Sequence, residues 1–200
     1  MFRRPGDIPT VGIVGGPGAG KSVIWEALKA NSNIVLVPEA PTLLQAYGLW
    51  YPSADPEFEI DVDDMRWILE RQSARAARAK GARLLVTDRI VGEGRMVYCH
   101  DQTIVSATPV AELLGSYFAL LVVDLPLADV WSVNRHNNPT RTESDYAKAR
   151  SVHARLLDYV DSHPRKYFVN NYADGAAKVA NGVRIIEQLL AEIESSRLQS

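Results

Sequence analysis

The chain has 200 residues, of which 46% are hydrophobic and 23% are charged, and this composition suits one globular domain with a substantial core. The net charge of −2 gives no bulk attraction to nucleic acid or to an anionic membrane. The single cysteine, Cys99, excludes an intrachain disulfide and predicts a reducing compartment, which we take to be the cytoplasm. Residues 1–7 lack the apolar core of a secretory signal, and no apolar run is long enough to span a bilayer, so we expect no membrane partner.

The strongest motif lies near the start of the chain, where residues 15–22 fit the pattern G-x-x-x-x-G-K-[ST]. The apolar run 11–14 predicts a buried strand before the motif, and residues 23–30 predict a helix after it. Glycines let such a loop wrap closely around phosphates, so that backbone N–H groups and the helix N-terminus face the anion. We therefore predict an ATP site with Lys21 at the β- and γ-phosphates and the Ser22 hydroxyl on Mg²⁺. The predicted phosphate loop consists of Gly15, Gly16, Pro17, Gly18, Ala19, Gly20, Lys21 and Ser22.

The rest of the chain alternates short apolar runs with helical patterns. Further strands are predicted at 34–37, 84–87, 119–123 and 166–169. Helices are predicted at 42–50, 62–80, 110–118, 127–134, 142–162 and 176–195, with a loop at 51–59 and an irregular or weakly helical stretch at 90–108. This alternation predicts an α/β fold, a three-layer α/β/α sandwich around a five-stranded parallel sheet, as one domain over residues 1–200.

Polar side chains follow the ends of the predicted strands, where open parallel sheets bind their ligands. Asp88 and Arg89 follow the third strand, and we expect Asp88 to hold Mg²⁺ and Arg89 to contact phosphate or substrate. Asp124 follows the fourth strand and is a second candidate for the metal, although it also fits a helix cap or a turn. Glu39 follows the second strand and is our candidate for the general base that accepts a proton from an attacking hydroxyl.

Two other groups of residues are candidates for closing the site and for binding the acceptor. Arg135 and Arg141 bracket a polar loop and could form a short lid, about 134–145, that neutralises charge during transfer, although a solvated basic loop is the common alternative. Gln72 is predicted on the inward stripe of the helix 62–80, where its amide could read a planar heterocycle. The other members of this stripe are Met65, Ile68, Leu69, Ala76 and Ala79. The aromatic residues predicted near this acceptor are Tyr47, Trp50 and Trp67.

These motifs, in this order, resemble the P-loop kinases of nucleosides and small ribosides. The group includes deoxynucleoside kinases, thymidylate kinases and the nicotinamide riboside kinase type. The stretch 37–41, Val-Pro-Glu-Ala-Pro, resembles the family's strand-plus-glutamate motif, and 66–72 resembles the helix whose glutamine reads the nucleobase. Thr87-Asp88-Arg89 resembles the acid-Arg-Ser motif, with Ile90 in place of serine, and 124–143 resembles the approach to the arginine-rich lid. The resemblance spans about residues 11–190.

The resemblance implies an ATP- and Mg²⁺-dependent phosphotransferase whose acceptor is a hydroxyl of a nucleoside, nucleotide or related riboside. Some viral members of this broad class phosphorylate modified bases within DNA, so a kinase acting on DNA or RNA is an alternative that the net charge does not support. A P-loop NTPase switch is a further alternative, but it would not need an acceptor site. The sequence does not give the oligomeric state, and a homodimer stays open.

Overall fold

A parallel β-sheet organises the computed structural model, which describes residues 8–48, 56–99, 101–135, 145–170 and 174–199. The strands within these residues form one sheet in the order β2-β3-β1-β4-β5, and every neighbouring pair is parallel. The predicted five-stranded parallel sheet is therefore confirmed. The strands are β1 Thr10–Val14, β2 Ile34–Val37, β3 Leu84–Asp88, β4 Ala119–Val123 and β5 Lys166–Val169.

Helices cover both faces of the sheet, which is why its strands are continuous apolar runs rather than alternating ones. On β4, Leu121 packs in a cluster with residues of α1 and α8, whereas Leu120 packs in a cluster with residues of α7. The helices are α1 Lys21–Ala27, α2 Ala40–Ala46, α3 Pro56–Lys80, α4 Gln102–Ala107, α5 Val110–Leu114, α6 Ala128–Arg135, α7 Tyr146–Val160 and α8 Gly175–Leu198, with a 3-10 turn at Leu28–Ala30 and a π turn at Gly94–Tyr98. Among the described residues, no helix combines the length and the apolar composition needed to cross a membrane.

The close approach of β1 to the segment that follows β3 fixes the position of the site. A Cβ added to Gly12 in β1 would lie 2.2 Å from Ile90 Cγ2, so only glycine lets the two segments approach this closely. The Arg89 N–H donates to the Ile13 carbonyl at 2.9 Å. These contacts hold Asp88 and Arg89 beside the end of β1, where the phosphate loop begins.

The helix boundaries differ from the sequence prediction mainly at α3. We predicted a loop over 51–59 and a helix from 62, but α3 begins at Pro56, so the loop prediction is wrong over 56–59. A proline is tolerated in the first turn of a helix because the N–H that it lacks has no intrahelical partner there. Residues 51–55 lie outside the described part of the chain.

The inward face of α3 was predicted correctly only in part, since Met65 and Leu69 of the predicted stripe pack against the core and its other members do not. Gln72 is exposed, as are Ile68, Ala76 and Ala79 of the predicted stripe. The fully buried positions are instead Phe58, Glu59, Val62, Asp63, Arg66 and Ala77. Three of these six residues are charged, so hydrophobic periodicity could not identify the buried face of the helix. The alanines of the predicted stripe add little to a hydrophobic pattern.

Candidate active site

The phosphate loop connects β1 to α1 in the conformation that its glycines permit. Gly18 and Gly20 have φ angles of 80° and 95°, a left-handed region that other residues rarely adopt. The Lys21 ammonium donates to the Gly15 carbonyl at 2.7 Å and to the Gly16 carbonyl at 3.3 Å. Burial lowers the pKa of Lys21, and the nearby Arg89 charge adds to this effect. A buried ammonium bound to loop carbonyls is ready to exchange them for phosphate oxygens.

The loop is packed tightly by side chains and backbone from the C-terminal half of the chain. A Cβ on Gly15 would lie 2.5 Å from the Val123 carbonyl, so β4 excludes any larger residue there. The indole N–H of buried Trp131 donates to the Pro17 carbonyl at 2.7 Å. Sequence reasoning assigned no role to Trp131, because an aromatic residue in a short helix is typical of ordinary core.

Ser22 and Asp88, the two predicted metal ligands, lie together. The Ser22 hydroxyl donates to Asp88 Oδ2 at 2.9 Å, while Asp88 Oδ1 is buried with no hydrogen-bond partner among the described residues. Burial raises the pKa of the Asp88 carboxyl, although the Lys21 charge opposes this. A hydroxyl and a carboxylate are hard oxygen donors that suit Mg²⁺, and a cation at Oδ1 would stabilise the ionised carboxylate. The residues therefore fit this ion.

Asp124 lies on the other side of β1, at the end of β4, in contact with different groups. Its Oδ1 is 3.9 Å from His153 Nε2, and its backbone carbonyl accepts from the Lys178 ammonium. The alternative metal candidate is thus held by groups of α7 and α8. Ser22 is hydrogen-bonded to Asp88 instead.

Arg89 is the centre of a group of polar side chains on the side of the site predicted to bind the acceptor, which we call the acceptor side, and Glu39 lies beside it. Arg89 Nε lies 3.2 Å from Glu39 Oε1, and Arg89 Nη1 donates to Glu93 Oε1 at 2.8 Å and to the Tyr98 hydroxyl at 2.9 Å. Arg89 has a φ of 82°, the one positive φ at a non-glycine position in the described ranges. We refer to Glu39, Arg89, Glu93 and Tyr98 as the Arg89 cluster.

The charges of this cluster keep Glu39 ionised. Burial alone would raise the pKa of Glu39, but the Arg89 guanidinium and a 2.9 Å hydrogen bond from the Thr42 hydroxyl outweigh it and lower the pKa. The Glu39 side chain is 30% exposed, so it can be reached, whereas Glu93 is 1% exposed. The arrangement presents an accessible carboxylate that is free of its proton at neutral pH.

The N-terminal half of α3 holds the π turn that carries Tyr98 and follows Glu93. The Asp63 carboxylate accepts from the backbone N–H groups of Gly94 and Arg95, at 3.0 and 2.9 Å, and from Arg66 Nη1 at 2.9 Å. Nearby, burial raises the pKa of Glu59 to about 7, despite the opposing charge of Arg89. Sequence reasoning missed Glu93 and Asp63. The spacing of four residues between Arg89 and Glu93 was the one local signal for either.

Three of the predicted acceptor residues, Tyr47, Trp67 and Gln72, are not joined to the Arg89 cluster in the described part of the chain. Tyr47 is 76% exposed, Trp67 is 40% exposed and Gln72 is exposed, so Gln72 is not a buried amide that needs an acceptor as its partner. Trp50 and Arg141 lie outside the described residues, as does most of the predicted lid. Arg135 is the last residue of α6.

Comparison with solved structures identifies the fold. NadR protein in complex with NR superimposes with a TM-score of 0.63 at 14% identity, over 90% of this chain and 51% of that one. Deoxyadenosine kinase from M. mycoides with bound dATP superimposes with a TM-score of 0.54 at 15% identity, over 92% of this chain and 99% of that one. The chain thus spans about half the length of NadR and nearly all of the kinase. At these identities the likeness establishes the P-loop kinase fold.

A family profile gives the sequence relationship. Among curated proteins, no sequence matches this chain. The profile described as AAA domain matches residues 10–178, from the first residue of β1 into α8. This match includes the phosphate loop, Glu39, the Asp88-Arg89 pair and all five strands. The chain therefore belongs to the AAA domain family and has the fold of the P-loop kinases.

Proposed function

We propose that this protein is a kinase that transfers the γ-phosphate of ATP to a hydroxyl of a nucleoside, nucleotide or related riboside. The observation that carries the proposal is the accessible, ionised Glu39 carboxylate held by Arg89 at the same sheet edge as Lys21. An NTPase that activates water also uses a general base and an arginine, so phosphate transfer to an added acceptor is the property that separates a kinase from an NTPase switch. The resemblance to nucleoside kinases, now matched by the fold, supports the same interpretation.

Each residue has a defined task in this proposal. Glu39 orients the acceptor hydroxyl and accepts its proton as the hydroxyl attacks, and Arg89 binds the phosphoryl group or the acceptor beside it. Lys21 and the loop N–H groups bind the β- and γ-phosphates, and Ser22 with Asp88 would hold Mg²⁺. When bound, the metal neutralises charge on the phosphates. Arg135 and Arg141 stay proposed as a lid that closes over them.

The acceptor class follows from the acidic character of the site. Glu93 has a second carboxylate oxygen that is buried without a partner among the described residues, and Glu59 lies close to the same group of charges. Glu59 and Glu93 are themselves buried, so the accessible Glu39 carboxylate is the group that meets the acceptor, and it favours hydrogen-bond donors or positive charge. The compounds bound in the similar structures, NR in NadR and dATP in the deoxyadenosine kinase, make nucleosides and related ribosides the first class to test.

The test is a transfer screen with γ-labelled ATP against nucleosides, nucleotides, nicotinamide riboside and DNA. We expect label on a small riboside, and no transfer by Lys21→Ala, with Lys29→Ala as the matched exposed control. ATP hydrolysis that no acceptor stimulates and that yields no labelled product would instead indicate an NTPase switch.

A second candidate, a kinase acting on single-stranded nucleic acid, is favoured by the outer face of α3. Residues 71–87 contain five basic and no acidic residues. Trp67, Arg71, Arg75 and Arg78 recur at helical spacing along one side for about 16 Å, and the Arg71 guanidinium lies 4.4 Å from the Trp67 ring centroid. An aromatic platform beside a row of cations suits bases and backbone phosphates.

This candidate has its own test. A triple Arg71→Ala, Arg75→Ala, Arg78→Ala variant should lower the salt dependence of oligonucleotide binding by a slope of about 2, with Arg184→Ala, Arg197→Ala on α8 as the control. If the wild type does not bind the oligonucleotide, or if both variants bind it equally, this face is an ordinary solvated surface. The small-riboside proposal would then be the one that stands.

A further inference from the structure

His153 connects α7 to the phosphate loop, and we propose that it is a positioning residue for nucleotide binding. The Gly16 N–H donates to His153 Nδ1 at 3.0 Å, across 137 residues of sequence. The inference rests on the proposed function only in that the loop binds a nucleotide. It assigns a role to a residue in which sequence analysis finds no metal-ligand spacing and no motif.

The contact is enforced by packing on both sides of Gly16. A Cβ on Gly16 would lie 2.8 Å from His153 Cβ, 3.1 Å from Leu125 Cδ2 and 3.3 Å from the Ala149 carbonyl. One turn of α7, from Ala149 to His153, therefore lies directly against the loop. Neither partner can move away without disturbing the other, because interiors at this density transmit small displacements.

The same peptide segment holds the lysine. The Gly16 carbonyl accepts from Lys21 Nζ at 3.3 Å and from the Ala19 N–H at 3.1 Å. His153 thus fixes the N–H group of Gly16. The carbonyl of the same residue helps to position Lys21 and accepts the hydrogen bond that closes the loop turn. A ring that releases Gly16 N–H leaves a buried donor without an acceptor and lets this segment rotate.

The charges around the ring are consistent with the neutral imidazole that this hydrogen bond requires. Since Nδ1 accepts, the proton of the neutral ring is on Nε2, which faces Asp124 Oδ1 at 3.9 Å. Burial lowers the pKa of His153, Asp124 opposes this, and Lys21 and Lys178 reinforce it. The acceptor nitrogen is therefore available at neutral pH.

The experiment compares variants that keep or remove the hydrogen-bond acceptor of the Gly16 N–H. ATP affinity is measured calorimetrically, with no substrate present that could accept phosphate. His153→Phe keeps the ring volume but removes the nitrogen, and we expect it to weaken ATP binding about tenfold. His153→Asn can place its amide oxygen near the Nδ1 position, and we expect its affinity to lie within about twofold of wild type. The same order should appear in the KM for ATP, with the acceptor KM unchanged.

His163 provides the matched control. Its two ring nitrogens each lie 3.2 Å from a backbone carbonyl, of Arg165 and of Tyr117, away from the loop. His163→Asn should lower the melting temperature without changing ATP affinity. His153→Leu repeats the removal of the acceptor with a smaller side chain, in case the Phe variant does not fold.

Two results would overturn the proposal. One is ATP affinity at the wild-type level in a folded His153→Phe or His153→Leu protein. The other is an equal loss in His153→Asn, which would mean that ring packing matters rather than the hydrogen bond. Because no acceptor is present, a protein that binds ATP normally but transfers no phosphate contradicts the proposed function and leaves this inference intact.

Discussion

The two sides of the candidate site are built by different means. The phosphate side, from Gly15 to Ser22, is backbone held by close packing, with Val123, Trp131 and His153 filling the space around it. The acceptor side is a set of charged side chains around Arg89, which come from the end of β2, the segment after β3 and the π turn. On the phosphate side, each loss of a packing contact should weaken the site by a further amount. On the acceptor side, the removal of one charged group should be enough to impair the site.

The largest expected effect is on the phosphate side. Lys21→Ala should lower kcat for transfer by several orders of magnitude while the fold stays intact, because the ammonium neutralises charge that develops on the phosphates. Steady-state transfer from labelled ATP measures this, with circular dichroism to confirm folding. Near-normal turnover in the folded variant would remove the phosphate loop from the mechanism.

The next prediction concerns the proposed base on the acceptor side. Glu39→Gln keeps the size and polarity of the side chain but cannot take a proton, so the chemical step should slow by roughly 10²- to 10⁴-fold with ATP binding preserved. Single-turnover transfer separates this step from product release. A harmless Glu39→Gln change would make Asp88 the next candidate for the base.

The sequence predicts the phosphate side and the sheet well because both depend on local signals. All five strands are apolar runs at the predicted positions, and the loop motif specifies its own conformation. The inward face of α3 is different, because it buries Glu59, Asp63 and Arg66, and the last two are satisfied by each other and by backbone groups that follow β3. Hydrophobic periodicity assigns such residues to the surface, and so the prediction instead turned Gln72 inward.

Glu93 gives a smaller effect that sharpens the comparison. It is a positioning residue for Arg89, so Glu93→Gln should lower acceptor kcat/KM by about tenfold through weaker orientation of the guanidinium. ATP affinity should not change, because the phosphate side does not depend on this contact. Steady-state kinetics with each substrate varied in turn provide the measurement, and an equal loss for ATP would show that the two sides are coupled.

The last expected effect is on stability and lies outside the site. The Tyr117 hydroxyl donates to Glu70 Oε1 at 2.6 Å, and burial raises the pKa of Glu70 to about 7, although this hydrogen bond opposes it. In the unfolded chain the Glu70 carboxyl loses its proton around its ordinary pKa of 4.5, whereas in the folded chain it keeps the proton up to about pH 7. The stability of the fold therefore falls between these two pH values and then levels off.

Glu70→Gln removes that penalty and keeps a hydrogen-bond acceptor for Tyr117. The free energy of unfolding should therefore rise by about 3 kcal/mol at pH 8 and change little at pH 4. Chemical denaturation at the two pH values tests this. The same gain at both values would assign the effect to packing rather than to ionisation.

The left-handed backbone of Arg89 is held in place by the contacts of its own side chain. A residue with a side chain at a φ of 82° carries about 1 kcal/mol of strain that glycine would relieve. Arg89→Gly would also leave the buried Glu93 carboxylate without its cation, which costs about 3–5 kcal/mol and exceeds the relief. Laboratory evolution that rewards heat resistance alone should therefore keep arginine at position 89, and a glycine recovered there should come together with a neutral residue at position 93.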